Sequence, residues 1–134
     1  MRYGVYAAVL FVVAIMAAAS VNADTEPSLR MEFQVQESSL SEVMEILTRY
    51  AKTEGFTVEN VGPNMPQKDN RPVFYVNLTR QDSARILVTN FLKQDQMFLA
   101  FYHPKQAVHP EQIIDPLISE LREKWPDIHV YTGL

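Results

Sequence analysis

A chain of 134 residues with a formal net charge of −4, four glycines and no cysteine excludes several classes before any motif is sought. Without thiols there is no disulfide framework, no Cys-based zinc site and no thiol catalysis or redox switch. The acid excess argues against a nucleic-acid or anionic-lipid surface, since both need clustered cations, and scarce glycine leaves little from which to build a phosphate-cradling loop.

The chain opens on Met1–Arg2–Tyr3, a short positively charged start. Gly4 to Ala19 is almost unbroken apolar sequence, and Val21–Asn22–Ala23 offers small or modest residues at the cleavage positions before Asp24. That is the layout of a secretory signal peptide. The run also falls a little short of the roughly 20 apolar residues that a spanning helix needs. The expectation is a signal peptide over 1–23 and a single domain over 24–134, exported to the periplasm or secreted from a Gram-negative bacterium. No Cys at the junction offers a lipid attachment point, and no twin-Arg pair precedes the apolar run. The leader holds one Arg and no acid, which leaves the rest of the chain at a net charge of −5. A domain of about 110 residues can bury a working core without staples.

After a flexible lead from Asp24 to Arg30, Met31–Glu32–Phe33–Gln34–Val35–Gln36 alternates as a strand does. Ser39 and Glu42 have capping-box spacing and predict a helix start. Leu40, Val43, Met44, Leu47, Tyr50 and Ala51 then form one apolar stripe, and Gly55 suits the left-handed residue that ends the helix. Phe56–Thr57–Val58–Glu59 resumes strand alternation. This β-α-β opening, in Phe33–Gln34–Val35–Gln36, Leu40–Ser41–Glu42–Val43 and Leu47 to Gly55, resembles the short amino-terminal domains of secretins and TonB-dependent receptors. The resemblance implies a role in handling protein signals in the periplasm. It covers about a quarter of the mature chain, the remainder departs from that pattern, and no family is assigned on it.

Gly62 to Pro72, with three Pro and two Asn, is a long irregular connection, and Val73 to Leu78 reads as a strand. Residues 80–102 fit two structures. Asp82–Ser83 can cap a helix whose inner face is Ala84, Leu87, Val88, Phe91 and Leu92, or Arg85 to Thr89 can be a strand paired with Met97 to Tyr102. The hairpin is preferred, with turns near Arg80–Gln81–Asp82–Ser83 and Lys93–Gln94–Asp95–Gln96. His109–Pro110 opens a helix with a stripe of Ile113, Ile114, Leu117, Ile118, Leu121 and Trp125. Either it kinks at Pro116, or it begins at Asp115 with Pro116 at its first position. Ile128 to Tyr131 closes the chain as a strand. The predicted class is α+β: an antiparallel sheet with two helices packed on one face, in an order that resembles an elaborated ferredoxin-like plait.

No motif declares a reaction. His103, His109 and His129 match no familiar ligand spacing, and the Glu residues fall on polar faces of the first helix and strands. Gly-x-Ser-x-Gly, His-Glu-x-x-His and a phosphate-binding Gly loop are all absent from the sequence. The expectation is therefore no enzyme, no cofactor and no metal. Asn77–Leu78–Thr79 is a glycosylation triplet, read as coincidence. The best hint of binding is the 97–102 strand. Phe98, Ala100 and Tyr102 share one face and Met97, Leu99 and Phe101 the other, so both faces are apolar. The expected function is protein binding in the envelope or outside the cell, as an inhibitor, an immunity-type protein or an assembly accessory. The contact surface is placed on Asn64, Met65, Gln67, Lys68 and Asp69 of the long loop, with Phe101 and His103 of the 97–104 edge. The alternative is a small-ligand carrier or sensor with a pocket between sheet and helices.

Overall fold

The computed structural model describes residues 26–60, 74–90, 95–104, 106–107 and 109–132. The expected signal peptide, the 62–72 connection and residues 93–94 of the 93–96 tip lie outside them. The described elements are β1 (Leu29–Gln34), a 3-10 turn (Glu37–Ser39), α1 (Leu40–Glu54), β2 (Thr57–Asn60), β3 (Tyr75–Thr79), β4 (Arg85–Thr89), β5 (Gln96–Tyr102), α2 (Glu111–Lys124) and β6 (His129–Thr132). All six strands join one sheet in the order β2-β3-β4-β5-β1-β6, and every neighbouring pair is antiparallel. The protein is of the α+β class. Four strands separate the two helices, two more than in the simple β-α-β-β-α-β order.

Strand alternation decides which residues meet the helices. Leu29, Met31 and Phe33 of β1 share a buried cluster with Met97, Leu99 and Phe101 of β5, Ile86 and Val88 of β4, and Val76 and Leu78 of β3. The same cluster takes Val43, Ile46, Leu47, Tyr50 and Ala51 from α1 and Ile114, Leu117, Ile118 and Leu121 from α2. Both helices therefore pack on one face of the sheet. The Tyr50 hydroxyl donates to the Ile113 carbonyl at 2.5 Å and ties the two helices together. Burial, reinforced by Glu54 and opposed by Arg80, pushes the Tyr50 phenol far above its ordinary range, so it stays a donor at any physiological pH. Exposed ion pairs of Arg49 with Glu120 and of Lys124 with Glu42 bridge the helices from outside, where such pairs contribute little.

Local details correct the expected boundaries. The capping box does not form. The Ser39 N–H donates to the Gln36 carbonyl at 2.8 Å, closing a 3-10 turn that leaves Ser39 at φ −103° and ψ 2°. A capping side chain needs extended backbone at that position. The other end of α1 is as expected, with Gly55 left-handed at φ 78° and its N–H on the Ala51 carbonyl. Of the two starts proposed for the second helix, the earlier is correct: α2 begins at Glu111 and continues through Pro116. Ile114 is fully buried and must be helical to reach the core, whereas Pro116 is exposed, where the Gln112 carbonyl it deprives of a donor can turn to water.

The hairpin reading of residues 80–102 is also correct. β3, β4 and β5 form a meander, and the first turn closes through Ser83 N–H to Arg80 O at 3.0 Å, with Ser83 at φ 72°. Arg80 clamps this turn. Its Nε and Nη2 donate to the two Asp82 oxygens at 2.9 and 2.7 Å, its Nη1 donates to the Glu54 carbonyl at 3.2 Å, and its guanidinium lies 5.0 Å from the centroid of the Phe56 ring. The hydrogen bonds from Arg80 hold the Asp82 carboxyl below the usual carboxylate range. A depressed pKa stabilises the fold above the unfolded value and is lost as pH falls through the folded one. Because the Asp82 side chain is 44% exposed, the contribution is screened. Asp82→Asn is expected to lower stability by about 0.5–1 kcal/mol at pH 7. Urea unfolding of both proteins should show that gap closing as acid protonates Asp82; an undiminished gap in strong acid would contradict it.

Candidate functional site

The other face of the sheet carries no described helix. The strand registers set its residues in rows. One row runs Tyr131, Arg30, Ala100, Leu87, Asn77 and Glu59 across β6, β1, β5, β4, β3 and β2. The next holds Tyr102 beside Arg85 and Thr79; on the opposite side lie His129, Glu32, Phe98, Thr89 and Tyr75. The floor is buried: Leu87 is 3% exposed, Ala100 1% and Tyr102 8%, with Tyr75 packed against them. Tyr131 at the β6 edge is 44% exposed, and its ring lies 6.5 Å from that of His129.

The Arg85 guanidinium lies 4.7 Å from the centroid of the Tyr102 ring. Burial pushes the Tyr102 phenol up, against the pull of Arg85 and Arg30, so both cations act on one phenol oxygen. The Nε atoms of Arg30 and Arg85 and the Oδ1 of Asn77 are buried and have no hydrogen-bond partner. Glu32 and Thr89 on this face, and Tyr131 at its edge, make further contacts.

A cleft of about 470 Å³ opens where β1 and β6 meet the end of α2. Its walls include Glu32, Gln34, Gln96, Trp125, Asp127 and His129. Glu32 and His129 stand opposite each other in the β1–β6 register, and Gln96 Nε2 donates to Glu32 at 3.5 Å. Among the described residues no group of three or more His, Asp or Glu is placed to hold a metal ion. Among them, too, no helix is long and apolar enough to cross a membrane.

The predicted contact residues do not assemble as expected. Asn64, Met65, Gln67, Lys68 and Asp69 lie outside the described residues. Phe101 is 1% exposed and belongs to the helix-side core, so its placement on a contact surface is corrected. β5 is not an edge: β4 and β1 flank it on either side. His103 is exposed, with its N–H on Ser28 Oγ at 3.2 Å and its Nδ1 donating to the Pro104 carbonyl at 2.6 Å. Asn77 of the glycosylation triplet sits on an inner strand, its side chain half-buried. Sequence reasoning missed Arg30 and Arg85. Arg30 falls in the stretch read as a flexible lead, where β1 in fact begins at Leu29, and Arg85 in the stretch that fits either helix or strand; only the register across β5 brings them to one face. No protein-family model matches this chain, and no curated protein matches its sequence.

Proposed function

We propose that this is an exported, non-catalytic protein that binds another protein of the periplasm or extracellular space through the face of its sheet that carries no described helix. The reading begins from the leader-like pattern of the first 23 residues. The observation that carries it is the concentration of Tyr75, Tyr102, Tyr131, Arg30 and Arg85 on the face that the helices leave. Tyrosine and arginine are the anchors that protein interfaces use most, because each couples a large contact area to polar groups. An inhibitor, an immunity-type protein or an assembly accessory all fit this chemistry. The cleft beside Glu32 and His129 favours a second reading, a small-ligand carrier or sensor.

A photoreactive residue placed at Tyr131 tests the first reading against one placed at Ser119, which is exposed on α2 in the opposite layer. In the native exported protein, position 131 should give one discrete protein adduct and position 119 none. Adducts from both positions, or from 119 alone, would refute the proposed face.

A further inference from the structure

Two other described arginines are paired. Arg80 grips both oxygens of Asp82, and Arg49 pairs with Glu120. Arg30 and Arg85 are the contrast. Neither forms an ion pair with any described carboxylate, and each has its Nε buried without an acceptor. A donor removed from water and left unbonded is destabilising, and more so when it is charged. Two such groups on one face, flanking one strand, mark a place where an acceptor belongs.

The register defines the surroundings. Arg30 sits opposite Ala100 and Arg85 opposite Tyr102, so the two cations flank β5 on adjacent rows. Ala100 adds only a methyl group to the floor between Arg30 and Leu87. Stacking on Tyr102 fixes the plane of the Arg85 fork. Asn77 Oδ1, one row from Arg85 on the adjacent strand, is a buried acceptor awaiting a donor.

We infer that Arg30 and Arg85 form a seat for the oxyanion head of a small organic anion, a carboxylate or a phosphate carried on an apolar or aromatic body. The head takes the Nε–H and Nη–H donors in the two-point geometry that guanidinium offers to planar or tetrahedral oxyanions. Half-buried Tyr75, packed against Leu87 and Ala100, meets the body. Asn77 accepts from an N–H or O–H on it. This goes beyond the protein-binding reading, because the ligand is a free small molecule and its seat lies inward of Tyr131.

The probes are benzoate and phenyl phosphate, titrated into the purified exported protein at constant ionic strength set with sodium chloride. The readout is the Nε–H resonances of Arg30 and Arg85 by NMR. Saturable shifts with either probe are expected; the responding probe identifies the head group, and a response to both supports a shared oxyanion seat. Arg30→Gln should weaken binding about tenfold or more, as loss of one charge-assisted hydrogen bond implies. Arg85→Lys keeps the charge but loses the fork, and should weaken it by a smaller factor in a folded protein. Arg49→Gln should change nothing. No saturable shift with either probe, shifts reproduced by chloride alone, or binding that survives both Arg30→Gln and Arg85→Lys would overturn the seat. The crosslinking contrast at position 131 is independent of all these outcomes.

Discussion

Phe101→Ala is expected to destabilise the fold by about 3–5 kcal/mol, the usual loss when a buried aromatic ring leaves a cavity. Phe101 is among the largest side chains buried to below 2% exposure. On β5 it stands opposite Leu29 of β1 and Ile86 of β4, at the centre of the sheet beneath both helices. Neighbours on rigid strands cannot collapse into the space. A single domain has only about 5–15 kcal/mol in total, so the urea midpoint should fall by a large fraction of its value. His103→Ala, two residues on at an exposed position, should change stability by less than about 0.5 kcal/mol. Equal small effects at both positions would contradict the placement of Phe101 in the core.

Asn90→Ala is expected to cost about 2–3 kcal/mol although the residue removed is polar. Asn90 is 1% exposed. Its Oδ1 accepts the Phe74 N–H at 2.6 Å, and its own N–H donates to the Phe74 carbonyl at 3.1 Å. The pair closes the open end of the β3–β4 hairpin, where the ladder has run out. Alanine keeps the second bond and strands the Phe74 N–H in a buried site, which carries the full desolvation penalty. Asn90→Asp should not rescue it, because the added carboxylate would have to ionise away from water. Thermal unfolding of the three proteins measures this; a loss below about 0.5 kcal/mol for Asn90→Ala would show that the Phe74 N–H has another acceptor.

What could be read from the sequence follows from the range of each interaction. The α1 stripe and Gly55 are local signals, and so are the branched residues that favoured a strand at Arg85–Thr89 over a helix. Ile46 escaped the expected stripe yet is 2% exposed, because the core reaches α1 across a wider arc than the strict repeat. The two-faced apolar pattern of β5 was legible residue by residue. Its neighbours were not, since strand order depends on β1 returning to pair with β5 and β6 docking on β1. Reading β5 as an edge puts Phe101 on a surface, whereas β4 and β1 flank the strand and bury it. The Arg30–Arg85 juxtaposition is non-local for the same reason: 55 residues apart, they meet only through the register across β5. The capping box failed because an immediate 3-10 turn outcompeted it.

The most direct test of the account is the affinity for the partner captured at position 131, measured for the unaltered protein, Tyr131→Ala and Arg122→Ala. Arg122 is exposed on α2, away from the proposed face. Tyr131→Ala should weaken binding about tenfold or more, as truncation of an interface anchor does, while Arg122→Ala leaves it within about twofold. Undiminished affinity with Tyr131→Ala, or the larger loss with Arg122→Ala, would place the contact on the helical layer and contradict the account.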